Sequence, residues 1–206
     1  MYSLIIILLI IIISIVLFFL QFYRDPERKI PKNLEDAVLS PADGWVINIV
    51  DLDKKNQNAF ISLKSDKEDI KNILQGTTNA KYLVQIYLSP FDCHMTRSPM
   101  HGKITKITHI PGKLTNAFRK DAIKNERVEF LIKTKKETIK MLMVGAPLVH
   151  KIRMKVKENQ EVKAGQRLAQ FLWGSQVTLV LPKLNFEVKV GQHIKAGETI
   201  IAKILK

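Results

Sequence analysis

An apolar segment at the N-terminus constrains this chain more than any other feature of its 206 residues. Residues 4–20 are apolar apart from Ser14, and no charged residue occurs before Arg24. As a helix, this run with its flanks spans about 30 Å, the hydrocarbon thickness of a bilayer. A cleaved signal peptide is the alternative, but it would have a basic start, a shorter apolar core and a cleavage motif of small residues. The sequence therefore predicts a retained transmembrane anchor over residues 1–23.

Basic residues follow the anchor directly and are frequent in the rest of the chain. Arg24, Arg28, Lys29 and Lys32 lie in a basic juxtamembrane linker predicted over residues 24–37, whereas no lysine or arginine precedes it. By the positive-inside rule, this asymmetry predicts a cell-membrane protein whose main domain lies on the cytoplasmic side. The net charge of +14 would attract that domain to an anionic lipid surface. Nucleic acid would also attract it, but no recognition motif is present, so no nucleic-acid partner is predicted.

Beyond residue 30 the periodicity of apolar residues predicts mainly β structure. Short segments rich in Ile, Val and aromatic residues, several of them alternating, are separated by Gly, Pro and Asn. They are GWVINIVDL, KYLVQIYL, GKITKITHI, RVEFLIKT and TIKMLMVGAPLV. Only residues 66–76 and 115–126 have a helical pattern. The predicted fold class is mainly β with minor α, in one domain over residues 38–206.

Two internal repeats indicate that this domain contains duplicated β-hairpins. The segments SPADGWV (40–46) and SPMHGKI (98–104) share the pattern Ser-Pro-x-x-Gly-x-(Val/Ile). The segments ENQEVKAGQRLA (158–169) and VGQHIKAGETII (190–201) carry similar residues at six of twelve positions. Each of the latter has a polar, glycine-containing turn between short strands, which is a hairpin signal. The pattern resembles the flattened barrel-sandwich of biotinyl and lipoyl carriers, so we expect a barrel-sandwich-like β domain.

The stretch YLSPFDCHMTRSPMHG (87–102) holds several residues with chemical potential. A metal site would need three or four ligands in suitable geometry, and no other cluster supplies them, so no metal is predicted. Neighbouring side chains on an extended chain point to opposite faces, which prevents Cys93 from pairing with His94 as nucleophile and base. Alone, His94 is explained as a hydrogen-bonded structural residue, and Asp43 as a turn residue before glycine.

A Gly-Ser pair interrupts a strand in QFLWGSQVTLVLP (170–182). It is the only Gly-Ser pair in the chain, and apolar residues flank it on both sides. Glycine inside a strand weakens it, and it usually marks a bulge or a close approach of the backbone. The position of Gly174 and Ser175 therefore calls for an explanation other than strand formation.

Three motifs in sequence order resemble the phosphatidylserine decarboxylase proenzyme family. They are Ser-Pro-x-Asp-Gly from Ser40, Ser-Pro-x-Asp-x-His ending at His94, and Gly-Ser at 174–175, with NAFRKDAIKNER (116–127) between the last two. The likeness covers residues from about 38 to 206. The anchor, the compact length and the short C-terminal segment resemble the smaller, membrane-anchored branch, whose archaeal members are thought to act on archaetidylserine. The choice between phosphatidylserine and archaetidylserine stays open.

The resemblance implies a proenzyme that cuts itself between Gly174 and Ser175, giving residues 1–174 and 175–206. The Ser175 hydroxyl would attack the preceding carbonyl, which glycine leaves unhindered and conformationally free. Elimination and loss of ammonia would then leave a covalently bound pyruvoyl group derived from Ser175. Its ketone would take up electrons as carbon dioxide leaves the anionic serine phospholipid, as pyridoxal phosphate does elsewhere. The two chains would remain associated without a covalent link.

The resemblance also assigns roles to individual residues. His94 matches the family's Asp-x-His histidine, a candidate general acid or base for decarboxylation or self-cleavage. Asp43 matches the aspartate that would orient or charge-stabilise a histidine during cleavage. The longer branch has a second histidine where this chain has Arg97, so His94 would have to serve both steps. Arg97, Asn116 and Arg119 are further candidates for contacts with the lipid headgroup.

The alternative without catalysis is a membrane-anchored adaptor, or a biotinyl or lipoyl carrier that uses Lys155. An adaptor of this kind needs long heptad helices between its hairpins, and the sequence contains none. The carrier would need symmetric spacing around its lysine, which is also missing. The sequence thus favours the pyruvoyl-dependent decarboxylase, and it leaves open whether that enzyme forms a homo-oligomer.

Overall fold

Short strands punctuated by glycine, proline and asparagine form most of this protein, as the sequence predicts. The computed structural model describes residues 2–34, 36–52, 67–112, 124–145, 152–171 and 175–205. Within these ranges lie helices α1 (Tyr2–Phe22) and α2 (Lys67–Leu74). The strands in the same ranges are β1 (Ala37–Leu39), β2 (Gly44–Asp51), β3 (Tyr82–Leu88), β4 (Met95–Arg97), β5 (Gly102–Ile110), β6 (Arg127–Lys133), β7 (Thr138–Val144), β8 (Ile152–Met154), β9 (Glu161–Val162), β10 (Arg167–Phe171), β11 (Ser175–Leu181), β12 (Leu184–Phe186), β13 (His193–Ile194) and β14 (Ile200–Ile204).

Three antiparallel sheets contain these strands. The largest has eight strands in the order β13-β2-β3-β11-β7-β6-β5-β9, and two smaller sheets have the orders β1-β14-β12 and β4-β10-β8. The predicted fold class, mainly β with minor α and barrel-sandwich-like, is confirmed. The helix expected over residues 66–76 is confirmed as α2, while most of the one expected over 115–126 lies outside the described residues.

The large sheet is symmetric about its centre, which lies between β11 and β7. On one side β11 is followed by β3, β2 and β13, and on the other β7 is followed by β6, β5 and β9. The small sheets match in the same way, since β1, β14 and β12 occupy the places of β4, β10 and β8. The fold therefore consists of two equivalent halves, each assembled from segments that are distant in sequence.

Both sequence repeats lie at equivalent places in these halves and bind each other. The Gly197 amide donates to the Ser40 carbonyl, and the Gly165 amide donates to the Ser98 carbonyl, each at 2.8 Å. Gly197 and Gly165 have positive φ angles of 73° and 78°. A Cβ atom on either glycine would crowd the side chain of Ile30, which covers both turns. The predicted hairpin duplication is thus a duplication of whole structural units.

Helix α1 is apolar along its length and is exposed except at its C-terminal end. By length and composition it could cross a membrane. The segment that follows, predicted as a linker, packs against the β domain through several ion pairs. They join Asp25 to Arg97 and Arg167, Glu27 to Arg167, and Arg28 to Asp43. The end of α1 is therefore held at a defined place on the domain.

Candidate active site

Ser175 is the first residue of β11, a central strand of the large sheet. This end of the strand faces the loop that contacts the end of α1. The Ser175 backbone lies opposite Leu88, the last residue of β3, and β7 pairs with β11 from Gln176 onward. In the equivalent pair of the other half, β6 continues into β7 through a tight turn closed between Thr134 and Glu137. β3 and β11 have no such turn, because β3 continues into residues 89–94 and β11 is entered from residue 174. The predicted cleavage residue thus lies where a hairpin is opened.

The loop that carries His94 starts at this opening. It leaves β3 after Leu88, and the His94 carbonyl accepts a hydrogen bond from the amide of Phe171 at 3.0 Å. Phe171 ends β10 and precedes Ser175 by four residues, so their Cα atoms are at most about 14 Å apart. Gly174, the other predicted cleavage residue, lies outside the described residues. The fold therefore links the His94 loop by a hydrogen bond to the end of β10, the strand that leads to the predicted cleavage bond.

His94 is fully buried and has one free ring nitrogen. Its Nδ1 is 2.9 Å from the Asp92 carbonyl, which can only accept, so Nδ1 carries the proton and Nε2 is left with its lone pair. No described residue forms a hydrogen bond with Nε2. Burial lowers the pKa of His94 to about 4, so the ring is neutral at neutral pH. A neutral imidazole with a free Nε2 can act as a general base.

Phe22, the last residue of α1, covers one face of the His94 ring. The Phe22 ring stacks on the imidazole at a centroid distance of 3.8 Å, and Phe22 is only 1% exposed. This contact excludes water from one face of the imidazole. Sequence patterns could not predict this contact, because the two residues are far apart in the chain and Phe22 lies in the predicted anchor.

Asp43 lies beside this site but binds an arginine. Both of its carboxylate oxygens accept from Arg28 Nη2, at 2.9 and 2.7 Å, and Oδ1 also accepts from the Ala196 amide at 2.8 Å. Among the described residues, Asp43 forms no hydrogen bond with a histidine that would orient it, so this role stays a prediction. The charge of Asp43 still acts on His94 through space and raises the pKa of His94, against the larger opposing effect of burial.

Cys93 and Arg97, which lie next to His94 in the motif, are both engaged inside the protein. The Cys93 thiol is buried against the Arg24 carbonyl at 3.3 Å, and burial raises its pKa, which keeps it unreactive. Arg97 donates to the carbonyls of Gly165 and Pro26 and pairs with Asp25. Its predicted contact with the lipid headgroup stays a prediction, and in this conformation its guanidinium binds the juxtamembrane segment.

The remaining predicted site residues lie outside the described part of the chain. They are Asn116 and Arg119. Among the described residues no group of His, Cys, Asp and Glu side chains could hold a metal ion.

A second histidine, which sequence reasoning missed, pairs with the loop of His94. His193 Nε2 is 2.7 Å from Asp92 Oδ1, and the other oxygen of Asp92 accepts from the backbone and hydroxyl of Ser89. His193 belongs to the segment after the predicted cleavage bond, so this pair would join the two chains. It could not be found from spacing, because its partners are 101 positions apart.

Fold and site together define a class of protein. It is a duplicated β domain with an apolar N-terminal helix docked on it, in which a buried histidine lies at an opened hairpin whose second strand starts with serine.

Comparison with known sequences gives this class a family. The model of phosphatidylserine decarboxylase matches residues 15–202, and the chain belongs to the phosphatidylserine decarboxylase family. A protein of Methanocaldococcus jannaschii, provisionally named archaetidylserine decarboxylase proenzyme, is 35% identical over 190 residues, which are 91% of this chain and 90% of that protein. The phosphatidylserine decarboxylase proenzyme of Chlorobium phaeobacteroides is 32% identical over 191 residues, 92% of this chain and 80% of that protein. Among solved structures, glucose permease IIA from Mycoplasma capricolum aligns with 81% of this chain and 93% of that chain at 20% identity, with a TM-score of 0.43.

Proposed function

We propose that this protein decarboxylates phosphatidylserine or archaetidylserine to the corresponding ethanolamine lipid. Membership in the phosphatidylserine decarboxylase family supports this reaction, since the relatives described above are named as decarboxylase proenzymes for one or the other lipid. Family membership also favours this enzyme over the alternative of an adaptor or carrier without catalysis. We further propose that α1 anchors the protein in the cell membrane, with the β domain on the cytoplasmic side where the basic residues lie.

The proposed prosthetic group is a pyruvoyl group made from Ser175. Two observations fit it: the backbone of Ser175 pairs with Leu88 of β3, with β7 joining from Gln176 onward, and the buried Nε2 of His94, six residues after Leu88, has no partner among the described residues. A pyruvoyl ketone supplies an electron sink for the loss of carbon dioxide. The chain itself would hold this group through the hydrogen bonds of β11.

The proposed self-cleavage uses His94 as a base. His94 Nε2 accepts the proton of the Ser175 hydroxyl, whose oxygen attacks the Gly174 carbonyl carbon, and the proton passes to the departing amide nitrogen of Ser175. The peptide bond is thereby exchanged for an ester. Elimination of the ester removes the Cα proton of Ser175 and releases the Gly174 carboxylate, and water then replaces the nitrogen, which leaves as ammonia. Burial keeps the His94 ring neutral at neutral pH, so Nε2 has its lone pair free to accept this proton.

The two proposed chains, 1–174 and 175–206, would stay together through contacts that the break does not touch. β11 pairs with β3 along its length, β13 pairs with β2, and β14 pairs with β1. Two polar contacts add to these strand pairs, one between Asp43 and the Ala196 amide and one between Asp92 and His193.

The test begins with the state of the chain. We expect the purified protein to show two chains on a denaturing gel, with the small chain lighter by one ammonia than a hydrolytic 175–206 fragment. Ser175→Ala should stay as one inactive chain, and His94→Gln should also stay uncut. His109→Gln is the matched control, because His109 is an exposed histidine paired only with Glu126 among the described residues, and it should cleave normally. An active enzyme whose residue 175 is still serine would refute the proposal.

The substrate is tested separately with the mature protein. Vesicles that contain phosphatidylserine or archaetidylserine are supplied in parallel, and the lipid products are identified by mass spectrometry. Loss of carbon dioxide from only one of them assigns the lipid, and loss from neither refutes the decarboxylase.

A further inference from the structure

The tip of the His94 loop is attached to the membrane helix. The Phe91 carbonyl accepts hydrogen bonds from Arg24 Nη2 at 2.9 Å and from Gln21 Nε2 at 3.4 Å. The Phe91 ring meets the Phe18 ring edge to face at a centroid distance of 6.4 Å. The loop is therefore fixed beside the last turns of α1, through both its backbone and its side chain.

Phe91 is nevertheless one of the most exposed aromatic side chains of the β domain. It is 69% exposed, although it precedes the buried residues Asp92, Cys93 and His94. A loop tip in water would ordinarily carry a polar residue, and a large aromatic group placed outward indicates a surface that meets another apolar phase.

The part of α1 that Phe91 contacts identifies that phase. Phe18 precedes Phe22, the last residue of α1, by four positions, so the Phe18–Phe91 contact lies about 6 Å inside the end of the helix. If α1 spans the bilayer, this depth falls in the zone where headgroups meet acyl chains. Tryptophan and tyrosine are enriched in this zone, and phenylalanine is common on surfaces that lie in it. Phe19 and Tyr23 of the same helix end are also exposed there.

We propose that Phe91 is a second membrane contact, inserted in the bilayer surface beside α1. Its partner is the lipid bilayer itself, in the leaflet from which the helix emerges. Asp92 and His94 follow Phe91 by one and three residues, so this contact holds the candidate site at the level of the lipid headgroups. A serine lipid can then reach the site while its acyl chains stay in the membrane. The inference rests on the proposed anchor, and its kinetic consequence rests on the proposed function.

Depth-dependent fluorescence tests the contact without any need for activity. The full-length protein, with Cys93→Ala to remove its one cysteine, receives Phe91→Cys, is labelled with an environment-sensitive dye and is placed in lipid nanodiscs. The matched control is Lys135→Cys in the β6–β7 turn, an exposed site at the opposite edge of the sheet. We expect the dye at 91 to be quenched by lipids with a shallow spin label and shielded from aqueous iodide, and the reverse at 135. Iodide quenching at 91 equal to that at 135 overturns the inference.

Kinetics test the consequence. Phe91→Asp, and Phe91→Ser as a milder variant, should self-cleave normally but show an apparent KM for lipid in vesicles raised about tenfold. Their rates on a short-chain, water-dispersed serine lipid should be unchanged, and Phe91→Leu should match the wild type on both. An equal loss on vesicles and on dispersed lipid would mean that Phe91 serves the site and not the membrane. If the wild type neither cleaves nor decarboxylates, the proposed function fails, while the fluorescence still decides the membrane contact.

Discussion

Phe22→Ala should raise the pKa of His94 by removing the aromatic wall from one face of its ring. The pKa of His94 is lowered from 6.5 to about 4 mainly by burial, a difference that corresponds to about 3 kcal/mol against protonation. Phe22 stacks on the imidazole at 3.8 Å, and alanine would leave room there for water. Since the rest of the pocket remains, we expect the pKa to rise by about one unit or more, and not to reach that of a free histidine.

The measurement is an NMR titration of histidine-labelled protein in nanodiscs, with the His94 signal assigned by its loss in His94→Gln. Phe19→Ala is the matched control, because Phe19 is an aromatic residue of the same helix that stacks on Tyr23. It should leave the titration of His94 unchanged. The reasoning is refuted if His94 of the wild type titrates near 6.5, or if Phe22→Ala leaves its pKa near 4.

Three further predictions concern stability, measured by denaturant unfolding in detergent of the Ser175→Ala chain, which should stay uncut, and of variants made in that background. His94 has a lower pKa in the folded chain than in the unfolded chain, so the unfolded chain binds more protons between about pH 4 and 6.5. The free energy of unfolding should therefore fall by up to about 3 kcal/mol as the pH drops through that window. His94→Gln should remove this dependence. Arg28→Met leaves the Asp43 carboxylate buried without its cation and should cost about 3–5 kcal/mol, whereas Arg28→Met combined with Asp43→Asn should recover part of that loss. Gly197→Ala should destabilise more than Gly191→Ala, since both have positive φ angles but only at Gly197 would a Cβ meet neighbouring atoms. Equal losses at the two glycines would contradict the packing argument.

Local patterns predicted the elements of the fold well. The alternating segment RVEFLIKT became strand β6 at nearly the expected bounds, because one face of the strand, with Phe130 and Ile132, lies in the core. The repeats predicted the duplicated hairpins, since their glycines are required by positive φ angles and by close packing under Ile30. Both kinds of signal depend on residues that are close in sequence.

Contacts between distant residues could not be predicted in the same way. The ion pair of Asp43 with Arg28 was not predicted, because it forms only where the juxtamembrane segment folds back over the domain. The stacking of Phe22 on His94 and the pairing of His193 with Asp92 join parts of the chain that no spacing relates. The sequence predicts which residues are candidates for reaction, while the fold determines which partner each of them has.

The opened hairpin at Ser175 also determines how a chain end behaves. The first residues of a new chain ordinarily fray, and a reactive group placed on them would have to be ordered again for each reaction, at about 1–2 kcal/mol per residue. Here the strand that would begin at 175 is central, with β3 on one side and β7 on the other from its second residue onward. Its position is fixed by the sheet before any break occurs. In the uncut chain β11 is thus already paired as it would be after cleavage. Cutting the chain before residue 175 would need no rearrangement of the strands that hold the terminal group.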